Sequence, residues 1–99
     1  MLDALLSELP GGPADETREN RVKRLAMRSM RRGIKEMDII LKKYADAHLS
    51  GMSDTALDAY EALLSNNDQD LYQWVSGQQP APEPHADLIE EIAEFTGAR

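Results

Sequence analysis

The 99-residue sequence predicts an all-α fold, a compact single-domain bundle of about five short helices. Two observations indicate this class. Apolar residues recur at spacings of three and four in successive segments, and a glycine, a proline or a capping residue separates most segments from the next. In addition, no segment alternates apolar and polar residues for long enough to be a convincing strand.

The composition limits the kind of protein this can be. The sequence has no cysteine, which excludes disulfides, thiolate metal sites and cysteine nucleophiles. No apolar run approaches the length of a membrane span, about 20 residues. A chain of this size supports one modest core, without a deep active-site cleft.

The first residues differ in character from the rest of the chain. A Pro-Gly-Gly-Pro break occupies positions 10–13, so we expect residues 1–16 to be a flexible acidic extension and residues 17–99 to form the helical domain. The extension has no Lys or Arg, unlike a secretory signal or a mitochondrial transit peptide. We therefore expect a cytoplasmic location.

The first helix is predicted from residue 17 to about residue 32. Thr17 is a suitable N-cap, and Glu19 lies in the first turn, where acidic residues are favoured. At about 100° per residue, one side of this helix is apolar or small and the other is basic. The two sides consist of Val22, Ala26, Ser29 and Met30, and of Arg21, Arg24, Arg28 and Arg31, respectively.

Basic and acidic residues are divided between the two halves of the chain. Ten of the eleven basic residues lie in residues 18–43, whereas residues 44–98 carry eleven acids and no Lys or Arg. A basic helix can bind phosphate groups, although the acidic half of so small a molecule repels a polyanion. The basic first helix thus supports one alternative function, a small helical nucleic-acid-binding or general protein-adaptor module.

Gly33 follows this helix in the stretch RSMRRGIKEMDII, residues 28–40. Physical reasoning leaves two interpretations of it open. In the first, Gly33 only marks the end of a helix. Alternatively, it leaves backbone uncovered beside Arg32 and Glu36, whose side chains are close enough to meet if the corner stays roughly helical, so that another protein can approach.

The second and third helices repeat the pattern of a favourable first turn and an apolar stripe. Glu36 and Asp38 lie in the first turn of the second helix, and Gly51 closes it. Ser53 caps the third helix. The two apolar stripes are Met37, Ile40, Leu41, Tyr44 and Leu49, and Leu57, Tyr60, Leu63 and Leu64.

The last two helices are short and are separated by a proline-rich break at residues 78–84. Asn67 or Asp68 caps the fourth helix, which ends at Gly77, and Pro84 opens the fifth. Their inward-facing residues are Leu71, Trp74 and Val75, and Leu88, Ile89, Ile92 and Phe95.

No residue pattern predicts an enzyme. The only histidines, His48 and His85, each have an aspartate two positions away, and side chains at that spacing face apart on a helix. No glycine-rich loop follows a strand, so no phosphate cradle is predicted. We expect no catalytic residue, no metal site and no cofactor of its own.

Three stretches together resemble the small assembly-factor family of succinate dehydrogenase, the flavinylation factors with the signature R-G-x-x-E. They are RRGIKEMDIIL at 31–41, LDAYEALLSNNDQDLYQWV at 57–75 and the P-x-P break at 80–82. The resemblance covers about residues 18–96. It implies a five-helix protein that binds the flavoprotein subunit of succinate dehydrogenase, and in some bacteria that of fumarate reductase.

The resemblance also implies a task and a set of contact residues. The factor promotes covalent attachment of FAD to a histidine of the partner subunit, so FAD is the partner's cofactor. The signature carries over to Arg32, Gly33 and Glu36, with Arg31 and Asp38 as neighbours in the contact. We expect an indirect mechanism, in which the factor holds the partner in a competent arrangement and the partner's own groups stabilise charge on the flavin. No nucleic-acid binding and no membrane insertion are expected.

Overall fold

The computed structural model describes residues 16–30 and 32–99. Within these residues it contains five α-helices, one short 3-10 helix and no strand, which confirms the predicted all-α class. The helices are α1 Arg18–Arg28, α2 Lys35–His48, α3 Asp54–Leu64, α4 Asp68–Val75 and α5 Glu83–Thr96, with the 3-10 helix Leu49–Gly51 after α2. Apart from residue 16, the predicted extension lies outside the described residues.

Side-chain caps begin three of the helices at predicted positions. Oxygens of Thr17, Ser53 and Asn67 accept hydrogen bonds of 3.1, 3.1 and 2.9 Å from the backbone N–H three residues further on. Each bond satisfies one of the N–H groups that a helix start leaves unpaired. Asn67 is therefore the cap of α4, and Asp68 is its first helical residue.

The first helix is shorter than predicted. It ends at Arg28, and the next residue, Ser29, is buried, with its hydroxyl donating a 2.8 Å hydrogen bond to the Leu25 carbonyl oxygen. Since the Ser29 proton is used there, the Tyr60 hydroxyl 2.6 Å away donates to Ser29. Burial raises the pKa of Tyr60 to about 12, which keeps this donor protonated at neutral pH.

All five helices contribute to one apolar core. The predicted stripes of α2, α3 and α4 are largely buried, and Leu25, which the predicted face of α1 omitted, is fully buried. The buried apolar residues are Leu25, Met37, Leu41, Tyr44, Ala45, Leu49, Leu57, Tyr60, Leu63, Leu64, Leu71, Trp74, Val75, Ile89, Ile92 and Ala93. No described helix has the length and apolar content needed to cross a bilayer.

The predicted inward position of Phe95 is wrong. Its side chain is 42% exposed, near the end of α5. The ring lies edge-on to His48 and Tyr44, with centroid distances of 4.5 and 6.2 Å. Phe95 therefore packs against Tyr44 and His48 from the solvent side.

Ion pairs join the basic side of α1 to α3. Arg24 Nη1 lies 3.0 Å from Glu61 Oε2, and Arg24 Nε lies 2.9 Å from Glu16 Oε2. Arg21 Nη2 lies 2.5 Å from Asp58 and 3.2 Å from Glu61. The hydrogen bonds and charges of Arg24 and Arg21 hold the pKa of Glu61 below its ordinary value.

The first prediction concerns Trp74, which is buried in α4 and stacks on His85 with ring centroids 6.0 Å apart. Trp74→Ala should lower the free energy of unfolding by about 3–5 kcal/mol, because it leaves a cavity in a small core. Thermal unfolding followed by circular dichroism measures this loss. The neighbouring, exposed Gln73 serves as control, and Gln73→Ala should change stability little. An unchanged melting curve for Trp74→Ala would show that the indole does not support the core.

The second prediction concerns acid stability. A carboxylate with a depressed folded pKa stabilises the fold above its unfolded pKa, and this contribution is lost as the pH falls through the folded pKa. Glu61 is 21% exposed, and its pKa in the folded protein lies below the ordinary glutamate value of 4.5. Wild type should therefore lose stability below that pH more steeply than Glu61→Gln, which should start about 1–2 kcal/mol lower at neutral pH.

Urea unfolding between pH 7 and pH 3 measures both curves. Asp58→Asn is the matched control, because its carboxylate is 70% exposed and should contribute less. Parallel curves for wild type and Glu61→Gln would contradict the assignment.

Candidate functional site

The site predicted from the sequence lies at the corner between α1 and α2, which comprises residues 29–34, and in the first turn of α2. The structure places four of the five predicted residues, Arg32, Gly33, Glu36 and Asp38, within this short stretch. The fifth, Arg31, lies outside the described residues. The four placed residues divide into a group that faces the protein and one that faces solvent.

Arg32 faces the protein. Its Nε donates to Asp68 Oδ1 at 2.6 Å, and each of these side chains is only 13% exposed. Its Nη2 donates to the Asn66 carbonyl oxygen at 2.9 Å, and its Nη1 lies 3.2 and 3.3 Å from the carbonyl oxygens of Leu64 and Arg28. One guanidinium thus joins the end of α1, the end of α3 and the start of α4.

Arg32 and Glu36 do not meet, because the corner does not stay helical. A spacing of four residues brings side chains together only on a continuous helix, and α2 begins after Arg32, at Lys35. Glu36 is exposed instead, and among residues 16–30 and 32–99 no side chain pairs with its carboxylate. Glu36 therefore presents a negative charge to solvent.

Two aspartates hold the backbone of the corner. The Asp38 carboxylate accepts a hydrogen bond from the Arg32 N–H, and the Asp68 carboxylate accepts one from the Gly33 N–H. Ile34, the N-cap of α2, makes no side-chain capping bond, and the Asp38 bond joins the first turn of α2 to Arg32, two residues before the cap. Gly33 is exposed, lacks a positive φ and lies beyond the Ser29 C-cap, so it does not terminate α1.

The outward side of the corner includes a residue that the sequence interpretation missed. Ile39 is 60% exposed and lies three residues after Glu36, hence on the same face of α2. The available signal was that Ile39 falls outside the apolar stripe of that helix. An exposed isoleucine beside polar groups is typical of a binding surface with an apolar centre and a polar rim. We call Gly33, Lys35, Glu36 and Ile39 the outer face of the corner.

The contacts of the two histidines are with residues other than those of the outer face. His48 Nδ1 is 3.2 Å from the Tyr44 carbonyl oxygen, and the two rings stack 4.4 Å apart. His85 Nε2 is 3.3 Å from the side-chain nitrogen of Asn66. In the described part of the chain, no three His, Cys, Asp or Glu side chains form a group that could hold a metal ion.

The third prediction tests the inward role of Arg32. Arg32→Lys keeps the charge but cannot reproduce the contacts of a planar guanidinium with Asp68 and three carbonyl oxygens. We expect a loss of about 2–4 kcal/mol in the free energy of unfolding, measured by urea titration. Arg18→Lys removes comparable contacts, to Asp54 and to the carbonyl oxygens of Ser50 and Met52, at a more exposed site, and should cost less than about 1 kcal/mol. Equal effects of the two substitutions would contradict the inward role.

Comparison with known proteins shows what the chain is similar to. Residues 23–96 match the family model described as flavinator of succinate dehydrogenase. The chain is 35% identical over 89 residues to succinate dehydrogenase assembly factor 2, mitochondrial, of Danio rerio, covering 87% of this chain and 56% of the relative. The relative of that name in Meyerozyma guilliermondii is 44% identical over 61 residues, covering 62% of this chain and 45% of the relative.

A bacterial relative matches over nearly its whole length. The FAD assembly factor SdhE of Legionella pneumophila (strain Lens) is 32% identical over 75 residues, covering 76% of this chain and 91% of the relative. By contrast, the chain spans about half the length of the fish and yeast relatives. Since the family model covers most of the chain, including the corner and α2 to α5, the protein belongs to the family of flavinators of succinate dehydrogenase.

Proposed function

We propose that this protein binds the flavoprotein subunit of succinate dehydrogenase and promotes covalent attachment of FAD to it. The observation that carries the proposal is the family match over residues 23–96. The names of the relatives support it, since they describe assembly factors of succinate dehydrogenase and an FAD assembly factor. The flavoprotein of fumarate reductase, where a cell has one, is proposed as a second client.

The outer face of the corner is the proposed contact surface. Glu36 offers an exposed carboxylate, Ile39 an apolar side chain and Gly33 an uncovered stretch of backbone. Such a surface fits a partner segment with a basic or N–H donor group beside an apolar one. We still propose Arg31 as a neighbour in the contact. Arg32 and Asp38 support the contact indirectly, because their hydrogen bonds within the protein hold the backbone of the corner.

The proposed mechanism is indirect, and the protein is not proposed to be an enzyme. Forming a bond between FAD and a histidine of the partner requires groups that stabilise negative charge on the isoalloxazine ring. We assign those groups, and FAD itself, to the partner. The factor contributes by binding one conformation of the partner more tightly and so raising its population.

The structure gives less support to the alternative function, a small nucleic-acid-binding or general protein-adaptor module. Arg21 and Arg24 are engaged by acids of α3 and by Glu16, which leaves less positive charge on α1 for a nucleic acid. Their pairing disfavours the nucleic-acid or general adaptor alternative. The cytoplasm stays the proposed location. The Danio rerio relative is named as mitochondrial, and the Legionella pneumophila relative is not.

The fourth prediction tests the contact surface. Gly33→Arg adds a long charged side chain to the outer face and should reduce covalent flavin on the co-expressed flavoprotein subunit at least about tenfold. Its cost to the fold should come from crowding of the Asp68 carboxylate, not from φ. Flavin fluorescence of the denatured subunit in a gel measures the yield.

Gly51→Arg is the matched control. Gly51 is exposed, an added Cβ there meets nothing within 4 Å, and the 14 residues of α2 place it about 20 Å from the corner. It should leave the flavin yield near wild type. Glu36→Gln should lower the yield more mildly than Gly33→Arg, because it removes an attraction without adding an obstruction. A folded Gly33→Arg protein with full flavin yield would exclude this surface as the contact.

A further inference from the structure

Asp68 is far from the corner in sequence but touches it at two atoms. Its Oδ1 accepts from Arg32 Nε at 2.6 Å, and its Oδ2 accepts from the Gly33 backbone N–H. The carboxylate is only 13% exposed and belongs to the first residue of α4. Asp68 therefore connects the start of α4 to two consecutive residues of the R-G-x-x-E stretch.

The same carboxylate leaves little room for a side chain at position 33. A Cβ added to Gly33 would lie 3.1 Å from Asp68 Oδ2, tighter than ordinary van der Waals contact. A side chain at position 33 therefore requires this oxygen, which also accepts the Gly33 N–H bond, to shift by a few tenths of an ångström. Because Oδ1 is bonded to Arg32, rotation of the carboxylate would disturb the second bond as well.

We infer that Asp68 is a positioning residue for the partner-binding corner, and that a side chain at position 33 is unfavourable because its Cβ would crowd the Asp68 carboxylate. The inference rests on the proposed function for the role of the corner. It differs from that function in assigning the need for glycine to a contact inside the protein. A partner that merely needed bare backbone would impose the same residue without involving Asp68.

The position of Asp68 affects the surface that the partner contacts. With Asp68 in place, the chain enters α2 in one direction, which sets where Glu36 and Ile39 point. Without it, the exposed Gly33 N–H can bond to water, but the Arg32 guanidinium loses its counter-ion, so the corner loses its fixed shape and the fold loses stability. Partner binding should fall because the shape of the corner is lost.

The first arm of the test uses the free protein. Hydrogen exchange followed by NMR should show the Gly33 amide protected at least about tenfold relative to an exposed amide, although Gly33 itself is exposed. Asp68→Ala should abolish that protection, and Asp70→Ala should not. Asp70 is the matched control because it is an acid in the same first turn whose contacts are to Asn67. An unprotected Gly33 amide in wild type would overturn the inference.

The second arm, which is the fifth prediction, is a double-mutant cycle with the purified flavoprotein subunit. Gly33→Ala should weaken binding, measured by calorimetry, about tenfold in the wild-type background. In the Asp68→Ala background it should change binding less than about twofold, because the obstructing oxygen is gone. Should Asp68→Ala fail to fold, Asp68→Ser keeps a polar group without an atom at the δ position, and Gly33→Ala should cost less in that background too.

The outcomes separate this inference from the proposed function. A penalty of Gly33→Ala that persists undiminished without the Asp68 carboxylate would show that the partner requires glycine, and would overturn the inference alone. Failure of the wild-type protein to bind the flavoprotein subunit or to raise its covalent flavin would overturn the proposed function, whatever the amide exchange shows.

Discussion

The ion pair between Arg32 and Asp68 is the contact on which the rest of the corner depends. Both side chains are largely shielded from water, and a half-buried charge is costly unless its hydrogen-bonding capacity is used. Here the guanidinium also meets carbonyl oxygens at the ends of α1 and α3, and the carboxylate also meets the Gly33 N–H. The pair thereby fixes how three helices meet and how the chain enters α2.

The pair also gives the residues of the R-G-x-x-E stretch different physical roles. The Arg32 side chain and the Gly33 N–H are bound to Asp68 on the inner side, whereas Glu36 is directed to solvent, with Ile39 beside it. The R-G-x-x-E residues therefore do not all touch the partner, because Arg32 acts through a contact within the protein. Substitution of an inner member alters the shape of the contact surface, and substitution of an outer member alters its chemistry.

Some of the charged residues also make contacts within the protein. A basic first half and an acidic second half in the sequence predict electrostatic attraction of a partner. In the folded protein, however, Arg21 and Arg24 are paired with Glu61, and neither is fully exposed. Part of the sequence asymmetry therefore joins α1 to α3, and the charge that a partner meets is smaller on the basic side than the composition suggests.

The helices and most of the core could be predicted from the sequence alone. Caps such as Thr17 and Ser53 and stripes such as that of α3 depend on residues three or four positions apart, and their physics is local. The end of α1, the inward turn of Arg32 and the exposure of Phe95 and Ile39 depend on how the helices pack. The contacts behind the first two join residues distant in the chain: Ser29 meets Tyr60, 31 positions away, and Arg32 meets Asp68, 36 positions away. No spacing rule registers such pairs, because they exist only once the helices have packed.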